Sequence, residues 1–241
     1  MTGATLPQPS EPSELAADRR RAVLRQSASV GVATGAYGIS FGALSVTAGL
    51  SLWQTMALSA LLFSGGSQFA LVGIVAAGGS GVAAVATSSL LGIRNGLYGL
   101  QVARLLGVRG SRRAAAAQLT IDESTAVAVA QPERAAARLG FWATGLAVFA
   151  LWNLMTLVGA LIGDLLGDPQ RYGLDAAAAA AFCALLWPRL KNVETRAVAG
   201  VAALAALLVA PHAPAGVPVL VAALAAVVAG LRRPGLRRAS R

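Results

Sequence analysis

Apolar and polar positions in this chain separate on the scale of whole segments rather than of single turns. Between Gln26 and Ala103 the only charged residue is Arg94, and no charge occurs in 139–163 or 197–231. Runs of about 20 apolar residues are what a helix needs to cross a hydrocarbon layer roughly 30 Å thick. The pattern predicts segments at 28–50, 52–77, 81–105, 139–163, 174–187, 197–209 and 216–231. The expected fold class is therefore all-α, a polytopic helical membrane bundle of six to seven hydrophobic segments. Residues 28–231 form its single transmembrane domain, between a disordered tail at 1–27 and a basic tail at 232–241.

One segment is interrupted. Residues 61–71 read Leu-Leu-Phe-Ser-Gly-Gly-Ser-Gln-Phe-Ala-Leu, with five small or polar residues inside an apolar run. Loosened backbone at mid-depth must face protein or a solvated cavity, because lipid satisfies no N–H or C=O group. The second segment is expected to be broken or re-entrant, and Ser64, Gly65, Gly66, Ser67 and Gln68 form a candidate ligand site. The structural alternative is a close-packed glycine crossing with serines bonded to backbone.

Charge gives orientation. Arg19, Arg20, Arg21 and Arg25 precede the first segment, six arginines stand among residues 103–138, and five close the chain. Basic residues mark cytoplasmic loops, which puts both termini and the 103–138 connector inside. Three apolar segments then lie between two cytoplasmic regions where an even number of crossings is required. Either one of the three turns back, with the interrupted second segment the natural choice, or 114–131 crosses as a polar span, or the N-terminal arginines do not decide orientation. A weak internal echo also pairs Gly38-x-x-x-Gly42 and the break at Ser64 with Gly159-x-x-x-Gly163 and a break at Pro188. Paired interrupted segments point to a site at a repeat interface.

Composition agrees: 56% of residues are hydrophobic, 12% are charged, and the mean hydropathy is +0.65. The net charge of +10 sits in tails and loops without aromatic platforms, so nucleic acid is not expected as a partner. One cysteine and one histidine leave no disulfide and no ordinary metal site. No cofactor is implied.

Two further clusters carry chemistry. Arg94, Asn95, Tyr98 and Gln101 fall within roughly two turns of one segment, and an arginine at that depth faces the protein interior or snorkels to an interface. Gln118, Asp122 and Thr125 share a helix face in a connector that either lies at the surface or dips into the bundle. Asp122 and Glu123 are the candidate proton carriers, since a carboxylate in a dry environment has its pKa raised; the alternative is a solvated helix whose acids offset nearby arginines. Phe41, Phe63 and Phe69 are candidate pocket walls, and Asn153 is a candidate polar contact or an interhelical hydrogen-bonder. A serine hydrolase is disfavoured because no histidine or lysine within a span could act as base. An enzyme is not expected. A channel or an accessory subunit stays open.

Five stretches in this order resemble the AzlC family of branched-chain amino acid exporters: Gly38-Ile-Ser-Phe-Gly-Ala-Leu, Leu62-Phe-Ser-Gly-Gly-Ser-Gln-Phe-Ala, Arg94-Asn-Gly-Leu-Tyr-Gly, Ile121-Asp-Glu-Ser and Ala184-Leu-Leu-Trp-Pro-Arg-Leu. The resemblance implies an inner-membrane carrier that exports valine, leucine, isoleucine and in some members methionine, driven by the proton motive force. It also implies a separately encoded small membrane subunit of the AzlD type. Family members often have histidine where this chain has Asn95, so a protonatable role there does not carry over.

Overall fold

Four glycines along one side of a long helix set the architecture. The computed structural model describes residues 15–166, 183, 186–187, 190–214 and 216–231, and its regular elements are all helices. In α1 (Ala17–Thr47), Gly31, Gly35, Gly38 and Gly42 face α7 (Arg134–Leu166). A Cβ on Gly31 would lie 2.8 Å from Ala147 Cβ, one on Gly35 2.6 Å from Leu151 Cβ, and one on Gly38 2.6 Å from the Trp152 carbonyl oxygen. From the other side, Gly159 and Gly163 abut the backbone of Ile39 and Ala43. Small residues on both helices let the backbones approach, which is how apolar helices associate where no hydrophobic effect drives them together. Positions rise together along both helices, from Gly31 beside Ala147 to Gly42 beside Thr156, so α1 and α7 run parallel.

The seam extends further than the apolar run suggested. Val23 packs beside Gly140, and Thr144 Oγ1 donates to Ser27 Oγ at 2.9 Å. Residues 17–27, expected in the tail, are instead three helical turns of α1. The reason is spacing: Val23, Ser27 and Gly31 continue the buried stripe at intervals of four, while Arg20, Arg21 and Arg25 point away from it. Among the described residues, α1 and α7 are the two helices long and apolar enough to cross a membrane by length and composition.

The interrupted segment is two helices, α2 (Leu52–Leu61) and α3 (Gly65–Ala76). A capping box starts α2: the Gln54 N–H donates to Ser51 Oγ at 3.3 Å and the Ser51 N–H to Gln54 Oε1 at 2.8 Å. On a continuing helix Gln68 would stand about 15 Å beyond Leu58, yet its Nε2 donates to the Leu58 carbonyl at 3.0 Å and is 3.4 Å from that of Ser59. The chain therefore doubles back at 62–64. Val75 of α3 shares a cavity wall with Gly49, Leu50 and Gln54, so α3 returns to the Thr47 end of α1.

Next, α4 (Gly81–Leu106) runs from the Thr47 end to the Ala17 end, capped by Ser80 and closed at Gly107, whose φ of +63° suits glycine. Its last carbonyls, Arg104 and Leu105, accept from Arg134 and Arg138 at 3.1–3.2 Å. The expected single helix at 114–131 is instead a second bent pair, α5 (Ser111–Gln118) and α6 (Asp122–Val129). Leu119 meets Gly145 and Val127 meets Gly140, so α6 descends back along α7. Gln131 closes that end by hydrogen bonds with Arg19 and Gln26.

Finally, α8 (Val193–Val209) and α9 (Val217–Leu231) pack on each other, with Gly216 against Ile74 and Ala83. The arginines of 19–25, 104–113 and 134–138 all gather at the Ala17 end. The expected segment at 174–187 with its break at Pro188, and the tails at 1–14 and 232–241, lie wholly or mostly outside the described residues.

Candidate functional site

The two bent pairs enter from opposite ends and meet. Gln118 Nε2, at the tip of the second, donates to the Ala60 carbonyl near the tip of the first at 2.7 Å. Together with Gln68, it satisfies C-terminal carbonyls of α2 that a helix end leaves open. Beside this contact lies a cavity of about 290 Å³, at the lower end of the size of small-molecule sites, roughly 300–1,000 Å³.

Its wall has two polar poles. One is the N-terminus of α3, where Ser64, Gly65 and Gly66 line the cavity. Ser64 does not cap the helix, because its Oγ donates to Ser67 Oγ at 3.1 Å, so the helix N-terminus keeps its partial positive charge. Arg94 adds a full charge there: a Cβ on Gly66 would lie 3.2 Å from Arg94 Nη2. The other pole is the N-terminus of α6, which carries Asp122 and Glu123. Ser124 shapes that turn, its Oγ accepting from the Ile121 N–H at 3.1 Å and donating to the Leu119 carbonyl at 2.6 Å. Arg94 Nη1 donates to Asp122 Oδ2 at 2.9 Å, which joins α4 to α6.

Away from the poles the wall is apolar, with Phe63, Phe69, Leu91, Ile121, Val148 and Trp152. Trp152 lies over Gly65, whose Cβ would be 3.3 Å from its ring. Among the described residues, the buried Trp152 Nε1, Asn95 Oδ1 and Arg94 Nε of this lining make no hydrogen bond. Buried polar groups are normally paired, so this stretch of the lining is incompletely satisfied.

The cavity collects Ser64, Gly65, Gly66, Phe69, Arg94, Asp122 and Glu123 from the residues singled out in the sequence. Others stand elsewhere. Ser67 is fully buried behind Ser64. Gln68 is fully buried and off the cavity lining, with its Nε2 donating to the end of α2. Phe41 forms a second layer, edge-on to Phe69 at 5.8 Å and stacked on Trp152 at 6.0 Å. Tyr98 lies one turn beyond Arg94, off the cavity, and Asn153 donates to the Phe149 carbonyl at 2.8 Å. Thr34, Tyr37 and Trp152 were not foreseen. Trp152 had a signal, being a tryptophan in the middle of a charge-free segment rather than at its interfacial end.

The lining also pairs across the two halves of the chain. Positions 34 and 91, 37 and 94, 64 and 121, 65 and 122, and 66 and 123 all line the cavity, and each pair is 57 residues apart. A helix followed by a bent pair thus occurs twice, as α1–α3 and α4–α6, entering from opposite ends.

The family model described as AzlC protein matches residues 29–166, the stretch that forms α1 to α7 and all of the cavity except Leu186. A relative from Archaeoglobus fulgidus, named an uncharacterized membrane protein, is 34% identical over 160 residues, covering 66% of this chain and 70% of its own length. No solved structure matches the chain. With its all-helical bundle, its interrupted second segment and this family match, the chain belongs to the AzlC family, membrane proteins linked to transport.

Proposed function

We propose that this chain is a secondary transporter that exports valine, leucine, isoleucine and methionine across the cytoplasmic membrane, with a small AzlD-type subunit and the proton as its partners. The supporting observation is the polarised cavity. A zwitterion with a branched side chain needs donors for its carboxylate, acceptors for its ammonium and an apolar wall. The α3 N-terminus with Arg94 supplies the first, Asp122 and Asn95 supply the second, and Phe63, Phe69 and Trp152 supply the third. We assign the coupling proton to Glu123, a carboxylate that lines the cavity at the N-terminus of α6.

In this reading the Ala17 end, with its arginines, is cytoplasmic. The pair α2–α3 re-enters from outside and α5–α6 from inside, so neither crosses, and the even count between the first segment and the connector is satisfied. Irregular backbone at their tips is tolerated because it faces the cavity rather than lipid.

Vesicles holding the chain with its small partner test the proposal. Labelled valine should accumulate against its gradient when a pH gradient is imposed, and Arg94→Ala should lower uptake at least about 10-fold, the loss of one charge-assisted hydrogen bond of about 1.5–3 kcal/mol. Unsaturable movement that only follows the amino acid's own gradient would refute a coupled carrier and favour a pore.

A further inference from the structure

A second cavity lies behind the first. Its volume is about 500 Å³, and it is a half-open space bounded by α3, α4 and the start of α9, with Gly73, Ile74, Ala77 and Val219 in its wall. It has no charged residue in its lining. Two side chains, Phe69 and Leu91, line both cavities and so form the partition between them. Phe69 is rigid, held edge-on by Phe41 at 5.8 Å and by Trp152 at 6.2 Å. Leu91 is half-buried, and its Cδ2 stands 4.0 Å from where a Cβ on Gly66 would be, at the pole that receives the carboxylate.

We infer that Phe69 and Leu91 set the upper limit on the length of the substrate's aliphatic side chain, by closing the polarised cavity off from an apolar space that would otherwise accept a longer chain. The inference rests on the amino acid site proposed above. The carboxylate is fixed at the α3 N-terminus, so the side chain extends from a defined origin. The first cavity is small, and the partition is the stretch of its wall beside the α3 N-terminus. A branched four-carbon side chain is accommodated on the near side of the partition, and a linear six-carbon chain needs the space beyond it. Shortening Leu91 opens the partition and removes no polar group.

Equilibrium binding to the full chain in lipid nanodiscs tests this, with L-valine and L-2-aminooctanoate as the two probes. Each extra buried methylene tightens binding roughly fourfold, so Leu91→Ala should strengthen 2-aminooctanoate binding relative to valine at least about 10-fold. A second variant checks where the longer chain goes. Gly73 lines only the second cavity, and a Cβ there meets nothing within 4 Å. Gly73→Leu should therefore leave valine binding of the parent unchanged and erase the gain when combined with Leu91→Ala. If valine binds and Leu91→Ala brings no gain for the longer chain, or Gly73→Leu does not erase one, the partition is refuted and the amino acid site stands. If valine does not bind the parent chain, the site reading fails and the partition with it.

Discussion

Gln68 shows how a residue in a suggestive motif can be structural. Its amide caps the end of α2 through the Leu58 and Ser59 carbonyls, and it is fully buried. Replacing it with leucine keeps the volume but removes a buried hydrogen bond to the end of α2, which costs about 0.5–1.5 kcal/mol. Gln68→Leu should lower the melting temperature of the purified protein and leave valine affinity within about twofold; unchanged stability with lost affinity would place Gln68 at the substrate instead. Glu123 is the opposite case. Removing its titratable proton with Glu123→Gln should preserve valine counterflow at uniform pH and abolish acceleration by a pH gradient. Counterflow that still responds to the gradient would move the proton elsewhere. The sequence located Arg94, Asp122 and Glu123 because charges inside apolar surroundings are conspicuous, whereas the amide of a glutamine gives no sign of whether it faces a ligand or a helix end.

At the level of elements, the glycine seam and the two bends differ in how visible they were. Glycines at 31, 35, 38 and 42 announce a close helix contact by their spacing, but nothing in it names α7 as the partner. The first bend was legible because Ser64, Gly65 and Gly66 are poor helix formers in an apolar run. The second was not: Leu119, Thr120 and Ile121 suit a continuous helix, and the turn is fixed by tertiary contacts of Leu119 with Gly145 and of Gln118 with Ala60. The seam makes a sharp contrast between glycines. A methyl on Gly42 would overlap the Thr156 carbonyl and the Ala160 amide, backbone atoms that cannot step aside, while one on Gly200 meets nothing within 4 Å. Gly42→Ala should separate α1 from α7 and lose the folded protein from detergent extracts, and Gly200→Ala should match the parent. Equal yields would mean that the seam does not hold the bundle.

For the whole molecule, the sequence echo between residues 38–64 and 159–188 has its second half largely outside the described residues, and the described residues carry another repeat. The repeat is α1–α3 with α4–α6. It was hidden because its equivalent positions hold unlike residues, Gly65 against Asp122 and Tyr37 against Arg94, and that unlikeness gives the shared cavity its two poles. Two copies entering from opposite ends have a mechanical consequence. If one pair opens its end while the other closes, the cavity is exposed alternately to the two sides around a fixed site, with the α1–α7 seam as the rigid frame. Spin labels can read this. Trp53 on α2 and Val82 on α4 are 82% and 81% exposed at the Thr47 end, and Arg20 and Arg112 are exposed at the Ala17 end. In a Cys183→Ser background, double-cysteine variants at 53 and 82 and at 20 and 112 give one distance for each end. Adding valine under a pH gradient should shift the two distance distributions in opposite directions, one lengthening as the other shortens. A shift in the same direction at both ends, or none at either while valine is transported, would exclude alternation between the two bent pairs as the transport motion.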